Sequence, residues 1–133
     1  MRKMKPLFLL CIVFFIASCV ANNDTHYFKT DVIEITHYTL PDTANLFDTI
    51  KIEANTREPN RCWYNLNFVL SKYNDSVYRL KAFGSFETYN GWACPTDSIF
   101  KDTIINFIPI KKGKILFYIT QPTTAVIDTL VVN

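Results

Sequence analysis

Apolar and polar residues alternate with a period of two along most of this 133-residue chain, and no segment carries a strong helical stripe. Successive side chains of a strand point to opposite faces, so this period marks half-buried β-structure. Leu46, Asp48, Ile50, Ile52 and Ala54 share one face, opposite Phe47, Thr49, Lys51 and Glu53, and Ile50, Ile52 and Ala54 are expected in the core. In CWYNLNFVLSKY, the residues Tyr64, Leu66, Phe68 and Leu70 fall on the face of Cys62, with Trp63, Asn65 and Asn67 opposite. Tyr78, Leu80, Ala82 and Phe86 alternate with Arg79, Lys81 and Ser85. Further strands are predicted over 31–38, 99–108, 114–120 and 126–132. Asn74-Asp75 reads as a tight hairpin turn, and Lys112-Gly113 and Gln121-Pro122 punctuate the later strands. About seven short strands without helices predict an all-β fold, a single antiparallel two-sheet sandwich of immunoglobulin-like architecture. The alternative is a small closed barrel. The immunoglobulin disulfide pattern is absent, because the cysteines lie too close in sequence and Trp63 adjoins Cys62.

The N-terminus follows different rules. Arg2, Lys3 and Lys5 precede the uninterrupted apolar run LFLLCIVFFIA, residues 7 to 17. A basic cluster before a short apolar segment is the pattern of a secretory signal. The run is shorter than the roughly 20 residues an ordinary membrane span needs. Ile16-Ala17-Ser18-Cys19 resembles the lipobox of bacterial lipoprotein signals. That resemblance implies a cleaved signal peptide over 1–18, with Cys19 left as the acylated N-terminus. Ordinary cleavage near Ala21, discarding Cys19, is the alternative. Residues 19–30 are then a lipidated terminus and polar tether, and 31–133 the sandwich domain.

Removing the leader changes the charge balance. The chain carries 14 basic and 12 acidic residues, and three of the basic ones lie in the leader, leaving 11 against 12. The mature part has no basic run, so no nucleic-acid partner is expected. Cys11 leaves with the leader and Cys19 takes the lipid, which leaves Cys62 and Cys94. In an exported chain these two are expected to pair, with buried free thiols the alternative.

The pieces CWYNLNFVL, LKAFGSFE, ACP, KDTIINFIP, KKGKILFY and DTLVV, spread over residues 48 to 132, resemble small secreted or lipid-anchored proteins of the Bacteroidota. The resemblance implies an envelope location and a β-rich fold, and brings no active site with it.

No catalytic signature stands out, and no cofactor or metal is expected. His26, in the tether, and His37, in the first strand pattern, have no useful spacing to a nucleophile or to the cysteines. Glu87 and Asp97 bracket the loop ETYNGWACPTD, a carboxylate pairing any domain of this size offers by chance. Gly84, Gly91 and Gly113 are the only glycines, too few for a phosphate-cradling loop. In that same loop Tyr89 and Trp92 flank the turn pair Asn90-Gly91, which makes it the candidate interaction loop. The competing expectation is that Trp92 folds back over the disulfide as part of a satellite core.

Seven of the eight aspartates are followed by Ser or Thr, and six of those seven continue with Ala or an aliphatic residue. The pattern resembles the Asp-Ser/Thr-aliphatic sequon of Bacteroidota periplasmic O-glycosylation, with Thr43 and Ser76, near turns, as candidate acceptors. A turn handing over to a strand produces the same sequence. The functional expectation is a non-enzymatic, lipid-anchored module of a Gram-negative envelope, on the outer membrane and facing the periplasm, with a protein or polysaccharide partner. A small hydrolase of unrecognised active site and an accessory subunit of an envelope complex are the alternatives.

Overall fold

The computed structural model describes residues 25–133, and the leader and Cys19 lie outside them. Nine strands follow in chain order: β1 (His26–Ile33), β2 (Ile35–Thr39), β3 (Thr43–Ala44), β4 (Ile50–Glu58), β5 (Trp63–Asn74), β6 (Val77–Tyr89), β7 (Ile99–Phe107), β8 (Gly113–Thr120) and β9 (Ala125–Val132). The described residues contain no helix. The strands form two sheets, one of six strands and one of three, which removes the closed-barrel alternative.

The long strand β6 organises the larger sheet. One edge of β6 pairs antiparallel with β5 through the Asp75-Ser76 turn, where Asn74 Oδ1 accepts the Ser76 N–H at 2.8 Å. Its other edge is shared: β1 runs antiparallel beside residues 82–89, and β8 runs parallel beside residues 77–81. Beyond β8 lie β9, antiparallel, and the short β3, parallel to β9. The smaller sheet is antiparallel, in the order β2-β4-β7.

The expected all-antiparallel pairing is therefore corrected, since the larger sheet is mixed. Between β6 and β8 the chain visits the other sheet as β7, and such a crossover returns β8 parallel to β6. Alternation reports which face a residue takes and carries nothing about strand direction. The tether boundary also moves, because β1 begins at His26, inside the stretch 19–30.

The single strand expected over 31–38 is two. Glu34 separates β1 in the large sheet from β2 in the small one, so the chain turns a corner between layers. Ile33 and Ile35 on either side of that corner are both buried, at 2% and 4% exposure. The Gln121 side chain serves Ile35 as a substitute strand: Gln121 Oε1 accepts the Ile35 N–H at 2.9 Å, and Gln121 Nε2 donates to the Ile35 carbonyl at 3.1 Å.

Both sheets contribute to one hydrophobic core. Ile52 and Ala54 of β4, as expected from their alternation, meet Leu80 and Ala82 of β6, Ile115, Phe117 and Ile119 of β8, and Leu130 of β9. Three rings bridge the layers: Phe107 of β7 stands edge-on to Tyr78 at 4.7 Å and to Phe117 at 5.2 Å between centroids.

In β5 a bulge overrides the expected faces. The register with β6 slips between Tyr64 and Asn67, and Asn65 takes φ +51°, a left-handed conformation Asn tolerates. The extra residue reverses parity on its N-terminal side. Trp63 packs against the core with Leu66, and Tyr64, expected inward, turns to the opposite face.

Candidate functional site

The expected disulfide is present: Cys62 and Cys94 are bonded, with their Cα atoms 5.5 Å apart. It ties the loop after β6 to the approach of β5. Two backbone bonds add to the clamp, Glu87 N–H to the Cys62 carbonyl at 2.9 Å and Arg61 N–H to the Pro95 carbonyl at 3.1 Å. Above this root the chain turns sharply. Trp92 N–H donates to the Tyr89 carbonyl at 3.0 Å, and Gly91 takes φ +81°, where a side chain would be strained.

The turn presents its aromatic rings to solvent. Trp92 is 73% exposed and Tyr89 42%, so the expectation that Trp92 folds over the disulfide does not describe this fold. Tyr89 stacks on His26 of β1 with centroids 4.6 Å apart and planes 14° from parallel. Trp92 continues the row at 5.4 Å, tilted by 54°. The result is a run of three rings along the rim of the larger sheet. It borders one shallow hollow lined by His26, Tyr89, Asn90 and Trp92, and another that reaches Tyr64, Cys62 and Pro95.

Glu87 holds the row in place. Its Oε1 accepts from His26 Nε2 at 2.7 Å and from the Tyr89 hydroxyl at 3.0 Å. These bonds, the one from His26 first, keep the Glu87 carboxyl below the usual carboxylate range. The same carboxylate pushes the Tyr89 phenol up, and partial desolvation followed by Glu87 raises that of Tyr64. Asp97 is engaged elsewhere, in an ion pair with Arg61 at 3.3 Å, so Glu87 and Asp97 have separate partners.

Both local sulfurs are in the disulfide, and Glu87 Oε1 accepts from two donors. Among the described residues no three His, Cys, Asp or Glu side chains gather as a metal site. His37 lies exposed on β2. Thr43, in β3, is exposed, and Ser76, in the β5–β6 turn, is half-buried. Several aspartates of the repeated Asp-Ser/Thr pattern make local bonds: Asp128 Oδ1 accepts the Thr129 N–H at 2.7 Å, and Asp48 accepts from Asn45 Nδ2 at 2.9 Å.

Sequence reasoning found Tyr89 and Trp92 and missed His26, Tyr64 and Glu87 as their supports. His26 joins the row only because β1 pairs with β6 in a register that sets His26 opposite Tyr89. The one local hint was Tyr27-Phe28, an aromatic pair in a stretch otherwise polar enough to be a tether. In comparisons with known proteins no family model matches the chain, and neither a curated protein nor a solved structure matches it.

Proposed function

We propose that the chain is a non-catalytic module of a Gram-negative cell envelope, a small Bacteroidota-type lipoprotein held on the periplasmic face of the outer membrane by lipid on Cys19. It works by contact, through the ring row of His26, Tyr89 and Trp92, and its two sheets form a sandwich of immunoglobulin-like architecture. The observation that supports this most is the exposure of Trp92, 73%, on a turn whose root is fixed by a disulfide. A large aromatic ring left in water on a rigid support is a typical anchor for another surface. The sequon-like threonines fit the same location, and Thr43 has the solvent access a glycan requires.

A photo-crosslinking residue placed at position 92 in intact cells of the native host tests the contact. Adducts with an envelope component are expected there, and none from a label at the exposed Tyr73, in β5 near the opposite end of the sheet. Equal or absent labelling at the two positions removes the contact surface. Failure of palmitate to label the chain, or unchanged processing of Cys19→Ala, removes the anchor.

A further inference from the structure

The described chain begins at the aromatic end of the domain. Asn90 N–H donates to the Thr25 carbonyl at 3.1 Å, and the next residue, His26, stacks on Tyr89. Six peptide links separate Thr25 from Cys19, a reach of about 20 Å even when fully extended. A lipid on Cys19 therefore holds this end of the domain, and no other, close to the bilayer.

The side chains at this end suit that position. Tyr27, Phe28, Tyr89 and Trp92 are 52%, 54%, 42% and 73% exposed. Tyr27 and Phe28 are neighbours on β1 and so point to opposite faces of the sheet, placing rings on both sides of the rim. Tyr89 and Trp92 line the two shallow hollows and Tyr27 and Phe28 do not, so the four rings do not share one groove. They form a belt, and Tyr and Trp favour the bilayer interface, where the ring is sheltered and its O–H or N–H stays wet. Near the rings, Lys29 pairs with Asp31 at 3.3 Å and Arg61 with Asp97, and Glu87 is hydrogen-bonded to His26. Among the described residues at this end no basic excess is present to draw the domain to anionic lipid.

We infer that the aromatic end is a second membrane contact: Trp92, Tyr89 and the Tyr27-Phe28 pair dip into the lipid interface beside the acylated Cys19 and fix the domain upright. This rests on the lipid anchor proposed above and names the surface the ring row meets. The 13 residues of β6 at about 3.3 Å each then carry the Asp75-Ser76 turn roughly 40 Å away from the bilayer.

The test uses the full chain, lipidated in a competent host and reconstituted into phosphatidylcholine vesicles carrying bromine at shallow acyl positions. Trp63 and Trp92 are the only tryptophans, so the Trp92→Phe variant isolates the signal of Trp92. Expected are at least twofold quenching of the Trp92 component by brominated lipid, loss of its access to aqueous iodide, and little change between low and high salt. Protein that carries its acyl mass and floats with vesicles, yet leaves Trp92 open to iodide and unquenched by lipid, overturns the inference and spares the anchor. Protein without acyl mass that does not float overturns both. Protection of Trp92 by soluble envelope polysaccharide, with no effect of brominated lipid, overturns the inference in favour of a glycan partner. An unchanged melting temperature in Trp92→Phe is expected from its exposure, so folding does not confuse the readout.

Discussion

Gln121→Ala should destabilise the fold by far more than a half-buried polar side chain after a strand end ordinarily does. At the corner between sheets Ile35 is 4% exposed, and Gln121 pairs both its backbone N–H and its carbonyl. Two neutral hydrogen bonds contribute about 0.5–1.5 kcal/mol each. Truncation also leaves two buried backbone groups without partners, at about 1–3 kcal/mol each if no water reaches them. Gln121 itself is only half-buried, so water partly replaces it, and a total loss of about 2–3 kcal/mol follows. In a domain near 100 residues that is a fall of roughly 8–15 °C in Tm. Urea unfolding followed by tryptophan emission gives the same quantity at 25 °C. Gln121→Glu keeps the acceptor and loses the donor, setting a carboxylate against the Ile35 carbonyl. Its deficit should shrink as pH falls and the carboxyl regains a proton to donate. A Gln121→Ala protein within about 0.5 kcal/mol of wild type would refute the view that this amide completes the sheet-to-sheet corner.

Three further outcomes are expected. Glu58 is 8% exposed, and its pKa is raised first by burial and then by the Glu34 charge, against a smaller opposing effect of Lys29. The folded state therefore keeps a proton that the unfolded chain has released between the ordinary and the raised pKa, so this group's contribution falls as pH rises through that window. Glu58→Gln should match wild type in acid and exceed it in stability at pH 7; equal pH–stability curves would contradict this. A Cβ on Gly84 would lie 3.0 Å from both Leu66 Cδ2 and Trp63 Cε3, so Gly84→Ala should cost about 1–2 kcal/mol and shift Trp63 emission. An unchanged unfolding midpoint would show that the Trp63 ring moves aside without penalty. Reducing the Cys62–Cys94 bond, which spans 32 residues, should lower stability by about 3–4 kcal/mol, read as the difference in urea midpoint with and without reductant. A loss under about 1 kcal/mol would mean that the reduced unfolded chain stays locally compact.

The strands were legible where one face is wet and the other dry. Ile52 and Ala54, and Tyr78, Leu80 and Ala82, are buried where alternation predicts. The same alternation failed at Tyr64, because one extra residue at the Asn65 bulge swaps the faces of everything before it. It also gave no sign of the break at Glu34: Ile33 and Ile35, two residues apart, would share a buried face in one strand, and both are buried here although they lie in different sheets. Strand direction was out of reach, since parallel pairing of β6 with β8 depends on where β7 goes and leaves no trace in the residues of either strand.

The ring row was legible in half. Asn90-Gly91 between two aromatics announces a turn that displays them, and Gly91 does take the positive φ this requires. What makes the row rigid was invisible, because each support is distant in sequence: His26 reaches Glu87 across 61 residues, and the disulfide closes 32. A polar stretch beside an apolar leader reads as a spacer, and by that reading His26, Tyr27 and Phe28 belong to the tether. With β1 paired to β6, six peptide bonds separate Thr25 from Cys19. Under the proposed lipidation of Cys19, that spacing would keep the aromatic rim within about 20 Å of the anchor. In the proposed arrangement the lipid would hold the chain at the bilayer, and the rings, brought within reach by the short link, would set which way the domain faces.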